Sequence, residues 1–494
     1  MGTFTYTDLV EVDLGKLKAA RTQWANTAEG LKKLAAQSRD GLVRLSDGAK
    51  WAGLNATVTQ EFVRRTAKEF TDLHTEATSI AKLLEDAYDE LSQVQKQAKQ
   101  LSAEAREGNQ AGRSPTPALL VMDGPGGTVK VMEAVCDVDG TSQRTKDLMQ
   151  WYADTLTGLV SHAAEIDASL ARSLSRSHGN DPHDAGHGSY TSLDQDQLPR
   201  ATKLASLGED ANKAQRAELH RLFGSLSPSA RSRLWSEQKD GLLAAGLLTP
   251  TVKQIAADRG AGPYGIREPN AEDRRTRETM NLIAEGADWG GMNDASRNMA
   301  HYLGNSGTDM DLPVDKMMLD DAGFEKHVRN LHIDKNKDEW HAQALAEFRR
   351  NGGQPVAFPV ETRNEDYSFN KETQRNWFYA VGSTRSNVTG VVTVVPDENG
   401  RPRVGLDYQA NAWDRYNWDE GKGVTIGPMS IPDGQMARLH NAGIAQEYNM
   451  AGSSSVKHYD LGGEAPNSGP LPGPEEPGRE GSRTDLGREQ QEGR

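Results

Sequence analysis

One cysteine, Cys136, stands in 494 residues. A lone thiol excludes an intrachain disulfide, so cysteine usage carries no sign of an oxidising compartment. With no nucleophile context around it, Cys136 reads as a small buried hydrophobe. Also missing is any run of about 18 apolar residues, the length that crosses a bilayer. The opening Met1-Gly2-Thr3-Phe4-Thr5-Tyr6 has neither the basic stretch nor the apolar core of a Sec signal peptide. The chain is therefore expected in the cytoplasm, or outside the cell by a route that accepts folded helical pairs. Signatures of catalysis are just as scarce: there is no phosphate loop of the Gly-x-x-x-x-Gly-Lys-Ser/Thr kind, no Gly-x-Ser-x-Gly, no His-Glu-x-x-His and no Cys-x-x-Cys. Positive charge is in deficit, with 57 Lys and Arg against 71 Asp and Glu and a net charge of -14. That balance argues against a general nucleic-acid binder, which needs clustered cations for phosphate. The short run Arg274-Arg275-Thr276-Arg277 sits among acids and reads as a solvated helix face. Apolar residues make up 36% and mean hydropathy is -0.71, which fits long solvated helices joined by polar connectors. The length leads us to expect two or three domains.

What is present is helical periodicity. Leu14, Leu17, Trp24, Ala28, Leu31, Leu34, Ser38, Leu42 and Leu45 recur at steps near 3 and 4. After Trp51-Ala52-Gly53 a second series alternates the same steps: Phe62, Thr66, Phe70, Leu73, Ala77, Ile80, Leu84, Ala87, Leu91, Val94, Ala98 and Leu101. Such alternation draws one narrow stripe along a helix, made for packing on another helix. Gly53 lets the chain reverse and Trp51 can plug the open end of the hairpin. A helix–Trp-x-Gly–helix unit over residues 1–108 resembles the WXG100 (ESX-type) family. The resemblance implies a helical hairpin, usually dimeric, exported by type VII secretion in Gram-positive bacteria, with a protein partner or a second copy meeting it through the helical seams. Members or their partners often carry a Tyr-x-x-x-Asp/Glu export signal after the second helix. Tyr88 and Tyr152 do not fit that spacing, whereas Tyr190 and Asp194 do, farther downstream in a polar stretch.

The remainder divides by composition. Gly108 to Pro117 breaks the second helix. Leu119–Met122 and Val129–Met132, separated by Asp123-Gly124-Pro125-Gly126-Gly127, predict a β-hairpin with a five-residue loop. A third amphipathic helix is expected over about 141–174, with Leu148, Tyr152, Leu156, Leu159, Ala163, Ile166 and Leu170 as its seam, so that 109–175 completes a bundle with the hairpin. Residues 176–196 read as a flexible linker. His178, His183 and His187 with Asp181 and Asp184 suggest a metal, but Gly, Pro and Asn deny them a fixed scaffold, and no metal is expected. Residues 197–295 read as a helical region, with helices at 214–222, 228–248 and 270–287; Ser227-Pro228 is a cap-then-start signal.

From 296 to 460 the pattern becomes α+β. Strands are expected at 376–382, 387–395 and 403–410, with a turn at Pro396-Asp397-Glu398-Asn399-Gly400 and a covering helix at 433–447. Residues 461–494 are Gly-, Pro-, Glu- and Arg-rich and read as a disordered tail. The expected fold class is thus multidomain and mainly α, with a long N-terminal helical hairpin or bundle, a middle helical region and a C-terminal α+β domain around a small antiparallel sheet.

Any chemistry should lie in that last domain, where Trp413-Asp414-Arg415-Tyr416-Asn417-Trp418-Asp419-Glu420-Gly421-Lys422 follows a strand and precedes a helix bearing Arg438 and His440. Such a cluster can bring an acid, a phenol and an imidazole together. The plainer reading is aromatic anchoring, with Asp414–Arg415 and Asp419–Lys422 as surface ion pairs. In part the segment is similar to the Asp-x-Tyr-Asp…His-Arg arrangement of colicin M-like toxins that hydrolyse lipid II. Asn417 stands where that arrangement has an acid, and Arg438 precedes His440 instead of following it. The resemblance implies Asp414 or Asp419 as acid/base, Tyr416 beside them and His440 as partner. Asp334-Lys335-Asn336-Lys337-Asp338 opens like an EF-hand loop but has Glu339 in place of the glycine and Leu345 in place of the closing glutamate, so calcium is not expected. No cofactor is implied. Two functions remain: a secretion-associated interaction protein with a docking module and a partner-binding domain, and a polymorphic-toxin-like effector with a C-terminal hydrolase acting on the cell envelope.

Overall fold

The computed structural model describes residues 3–49, 53–108, 116–134, 142–177, 189–254, 260–418, 423–426, 429–464 and 466–469. The chain forms two units, Met1–Ile255 and Ala256–Arg494, so the division falls inside the stretch 197–295. Among the described residues no helix is long and apolar enough to cross a membrane.

The first unit begins with α1 (Tyr6–Glu11) and α2 (Gly15–Gln37), which runs through a widened π turn (Ser38–Val43) into α3 (Arg44–Gly48). Gly53, at φ 103°, then opens α4 (Leu54–Glu107), a single helix of 54 residues. The two arms are antiparallel. Arg21 meets Glu85 at 3.5 Å, the Ala28 carbonyl meets His74 Nδ1 at 2.9 Å, and the Ser46 carbonyl takes the Gln60 amide at 3.0 Å. The partner numbers fall as the first numbers rise, so the reversal lies between Ala49 and Gly53. Trp51 and Ala52 lie outside the described residues.

Strands β1 (Leu119–Asp123) and β2 (Val129–Glu133) form the expected hairpin, closed by Gly124 N–H to the Thr128 carbonyl at 2.8 Å. Helix α5 (Gln143–Ser177) lies on α4, and Leu83, Ala87, Val94, Ala98, Leu156, Val160, Ala163 and Ile166 share one core. Helix α1 closes the base of that core with buried Leu9 and Tyr6, whose hydroxyl donates to Ser102 Oγ at 2.7 Å. Then come α6 (Asp194–Ala205), α7 (Lys213–Ser225) and α8 (Pro228–Ala244). Asn212 and Gln215 form a capping box on α7. Ser227 Oγ caps α8 by accepting the Ala230 N–H at 3.2 Å. Glu165, Arg172, Asp196 and Arg200 close a ring of ion pairs at 2.8–3.5 Å that ties α5 to α6. Glu218 brings α7 into it at 2.6 Å. The stretch read as a linker therefore ends inside the packed bundle; residues 178–188, with the three histidines, lie outside the described residues.

The second unit starts with α9 (Ala271–Trp289), α10 (Asn293–Leu303), β3 (Met310–Asp311), α11 (Val314–Asp320), α12 (Ala322–His327) and α13 (Lys337–Arg350). Strands β4 (Val356–Glu361) and β5 (Glu365–Ser368) precede α14 (Arg375–Ala380), the long strands β6 (Ser383–Pro396) and β7 (Pro402–Tyr416), and the separate pair β8 (Gly423–Ile426) and β9 (Met429–Pro432). Helix α15 (Asp433–Asn441), β10 (Tyr448–Ser453), β11 (Lys457–Gly462) and β12 (Pro466–Gly469) complete it. Among the described residues the sheet has eight strands, antiparallel except where β10 runs parallel to β3. β6 and β7 pair along most of their lengths, from Arg385–Trp413 to Pro396–Pro402. Each is flanked on its other edge by two short strands in succession, β4 and β5 on β6, β11 and β10 on β7. Val388, Val392, Val394, Val404, Leu406 and Ala410 alternate onto one face and enter the core with α13. On the opposite face a row of side chains crosses four strands: Asn387 donates to Glu361 at 3.3 Å, Asn411 donates to Asn387 at 3.0 Å, and Ser453 donates to Asn411 at 2.6 Å. A one-residue slip would bring these amides onto the apolar face, so the row fixes register.

Four expectations change. Residues 376–380, where a strand was expected over 376–382, belong to helix α14, and 381–382 turn the chain into β6. Trp377 is fully buried and its indole N–H donates to Asp320 at 3.0 Å, while Asn376 Oδ1 accepts the Asp294 and Ala295 N–H groups at 3.1 Å each. Those tertiary contacts override an aromatic-rich β signal. The returning strand runs to Tyr416, so Trp413 to Tyr416 belong to a strand and not to a loop after it. The last helix stops at Asn441 because Gly443, at φ 68°, turns the chain. The stretch from 461 continues as strands to 462 and over 466–469; residues 470–494 lie outside the described residues.

Candidate functional site

Of the four residues singled out for chemistry, Asp419 lies outside the described residues. The other three occupy two elements. Asp414 and Tyr416 stand on β7, opposite Met450 and Tyr448 of β10. His440 is on α15.

Tyr416 is buried. Its ring stacks on Tyr448 at 5.2 Å and meets Trp418 edge-on at 6.0 Å. Burial pushes its phenol well above the ordinary range, and its hydroxyl faces Met299 Sδ at 3.9 Å. Trp413 and Trp418 are buried too, so this aromatic segment anchors strand to core. Arg415 Nη2 reaches Glu447 Oε2 at 3.1 Å, with the Glu447 side chain fully enclosed.

His440 is 3% exposed. Its Nδ1 accepts the Glu447 N–H at 3.1 Å, so Nε2 carries the proton and donates to the Gly262 carbonyl at 3.0 Å. Glu447 Oε1 accepts the N–H groups of Ala261 at 2.7 Å and Trp418 at 3.2 Å. Gly265 N–H donates to the His440 carbonyl and Arg267 N–H to the Asn441 carbonyl, each at 3.1 Å. Tyr264 lays its ring edge-on to His440 at 5.4 Å. Residues 260–267 are thus a strap clamped over the end of α15. Farther along, Arg267 makes a two-pronged pair with Asp273 at 2.6 and 2.9 Å, and Arg438 joins from α15 at 3.4 Å. Hydrogen bonds from Arg267 hold the Asp273 carboxyl down to about 2. Glu447, Arg267 and Asp273 were not singled out in the sequence, because the contacts that join the strap to α15 and Glu447, such as Ala261 with Glu447 and Arg267 with the Arg438 carbonyl, span some 170–190 residues and no local spacing marks them.

Both imidazole nitrogens of His440 are engaged and the Tyr416 hydroxyl is enclosed. What this arrangement does chemically is hold backbone. Among the described residues no group of three or more His, Cys, Asp or Glu side chains is placed to hold a metal ion. Asp334 is occupied by Lys337 at 2.8 Å and by the Tyr459 hydroxyl at 3.2 Å.

The first unit presents a different kind of site. α4 has 54 residues and α5 has 35. α5 ends where Ser177 Oγ meets Ser79 Oγ at 3.3 Å. On the face of α4 that α5 covers below that point, Leu73, Phe62 and Val58 follow above it, 38%, 68% and 58% exposed, and Leu54 continues outward at 80%. Leu34, Leu42 and Leu45 of the other arm are exposed as well. Contiguous exposed apolar side chains on a soluble surface mark a contact site. The stripe was legible in the sequence; its lack of cover was legible only as a mismatch in helix length. Gly53 of the hairpin motif opens α4 as expected, its carbonyl accepting from Ala56 and Thr57 at 3.1 and 3.3 Å. The Tyr190–Asp194 pair is folded into the bundle: Tyr190 packs at its core, and Asp194 accepts the Ser227 N–H and hydroxyl at 2.9 and 2.6 Å.

No family model, curated protein or solved structure matches the chain.

Proposed function

We propose that this chain is an interaction protein of the WXG100-like, type VII secretion-associated kind, whose N-terminal hairpin docks on a protein partner or on a second copy and whose α+β unit binds a partner of its own. The observation that carries the reading is the stripe Leu54–Val58–Phe62–Leu73, left uncovered among the described residues, on an antiparallel hairpin whose second arm opens at Gly53. Helix faces of this kind are stabilised by burial against a further helix, at roughly 1.5–3 kcal/mol for each large side chain fully covered. The hydrolase alternative has no comparable support, because His440 and Tyr416 are spent on structure.

Two measurements test the reading. The chain is expected in the culture supernatant of a Gram-positive host with a working type VII ATPase, and retained in cells lacking it. Equal release from both would overturn the export part. Light scattering and cross-linking of the full chain, alone and with proteins co-purified from that host, should show a complex that Phe62→Glu abolishes. A complex insensitive to that substitution removes the hairpin from the docking role.

A further inference from the structure

We propose that residues 189–193 form a proton-gated latch on α4, closed when Asp86 is neutral and loosened when it is charged. The segment enters the bundle directly ahead of α6. Ser79 Oγ accepts the Tyr190 N–H at 2.6 Å and also contacts its carbonyl at 3.1 Å. Seven residues on, and so on the same side of α4, Asp86 Oδ2 accepts the Leu193 N–H at 2.7 Å. Leu193 is 2% exposed and shares the bundle core with Tyr190. These contacts fasten the segment to one helix.

Asp86 is placed among like charges. Glu85 and Asp89 flank it on α4, and Asp194 faces it from the first turn of α6. Both oxygens of Asp194 are bound to Ser227 at the start of α8, which fixes that carboxylate in place. Arg21 of α2 pairs with Glu85 at 3.5 Å, which offsets part of that neighbour's charge, and Lys82 stands one turn before Asp86 on α4; Arg176 of α5 is engaged with Asp196. Burial under the segment, helped by the three carboxylates and opposed by the Leu193 N–H, pushes the Asp86 carboxyl from the ordinary 3.8 up to about 6. Lifting the segment returns Asp86 to a solvated helix surface. The closed form therefore takes up a proton at a pH where the open form does not, and closing strengthens as pH falls. A neutral carboxyl still offers its carbonyl oxygen to Leu193. The latch acts on the Tyr190–Asp194 segment and stands whether or not the family reading does.

Hydrogen exchange by mass spectrometry on the full chain tests it. After correction for intrinsic rates, peptides spanning 189–193 should be about tenfold better protected near pH 5 than near pH 7.5. α7 peptides should not change. Asp86→Asn should protect 189–193 strongly at both values. Equal wild-type protection at the two pH values, or a pH response that survives in Asp86→Asn, would overturn the latch. Should that variant lose protection in α7 as well, carboxyl NMR of the wild type decides: Asp86 titrating near 6 supports the latch, and near 4 sinks it.

Discussion

His440 and Glu447 are joined through a ring nitrogen and a backbone amide: Nδ1 of the histidine accepts the glutamate N–H at 3.1 Å, and the carboxylate of the same glutamate holds Ala261 and Trp418. The segment from His440 to Glu447 thereby reaches the strap 260–267 by two routes, one through each side chain. His440→Ala removes two hydrogen bonds and leaves the Glu447 N–H unpaired in a buried place, while the carbonyl of exposed Gly262 can turn to water. We expect a loss of about 2–3 kcal/mol for the second unit, measured by urea unfolding followed through its tryptophans, with faster hydrogen exchange confined to 260–267 and 441–447. An unchanged midpoint would mean that the clamp carries no stability.

Gly260 lies against the same carboxylate. A methyl group there would meet Glu447 Oε2 at 2.2 Å, and the backbone stands at φ 63°. Gly260→Ala should therefore destabilise the second unit by about 2 kcal/mol or more, strain and clash together. Gly262→Ala, where the added carbon meets nothing within 4 Å, should cost only about 1 kcal/mol from its φ of 86°. Thermal unfolding of the two variants side by side checks the order.

His332 links the π turn after α12 to the sheet. Thr362 Oγ1 lies 3.0 Å from Nδ1 and Ser386 Oγ 3.1 Å from Nε2, with the ring fully buried. Burial holds its imidazole down to about 3. The unfolded chain binds a proton near pH 6.5 that the folded chain refuses, so stability is fully present above that value and falls below it, by about 1–2 kcal/mol at pH 5. His332→Gln should lower stability at pH 7.5 yet flatten this acid slope. A slope identical to wild type would assign the acid sensitivity elsewhere.

Asp196 has a fully enclosed carboxylate that takes Arg172 at 3.0 Å and Arg176 at 2.9 Å, with Arg200 at 3.5 Å. Asp196→Ala leaves three guanidinium groups crowded beside one another. The expected loss is about 2–3 kcal/mol, below the usual figure for a broken buried pair because the arginines are part-exposed. High salt should reduce the difference between variant and wild type. By contrast, Phe62→Glu on the uncovered stripe should change the unfolding midpoint of the isolated chain by less than about 0.5 kcal/mol.

Periodicity carried the first unit far. The 3-and-4 steps from Leu14 to Leu45 and from Phe62 to Leu101 already dictate two striped rods, since residues at those spacings share a helix face whatever surrounds them; they did not dictate that the stripes face inward, and Trp24, Leu34, Leu42, Leu45 and Phe62 stand exposed. Turn chemistry did the same for Asp397–Gly400 and for Ser227-Pro228, where the deciding hydrogen bonds are local. Residues 376–380 went the other way: their composition favours a strand, and only the seats offered to Trp377 by Asp320 and to Asn376 by α10 make them a helix. The candidate site failed to assemble for a related reason. Whether an imidazole or a phenol is available for chemistry depends on what lies against it, and Gly262, Tyr448 and Met299 are far off in sequence from the groups they occupy. The sequence alone determined the rods, the turns and the apolar faces, because these rest on contacts a few residues apart. Burial, partnership and the end of α5 about halfway along α4 were decided by tertiary structure, because they depend on segments that meet only when the chain is folded.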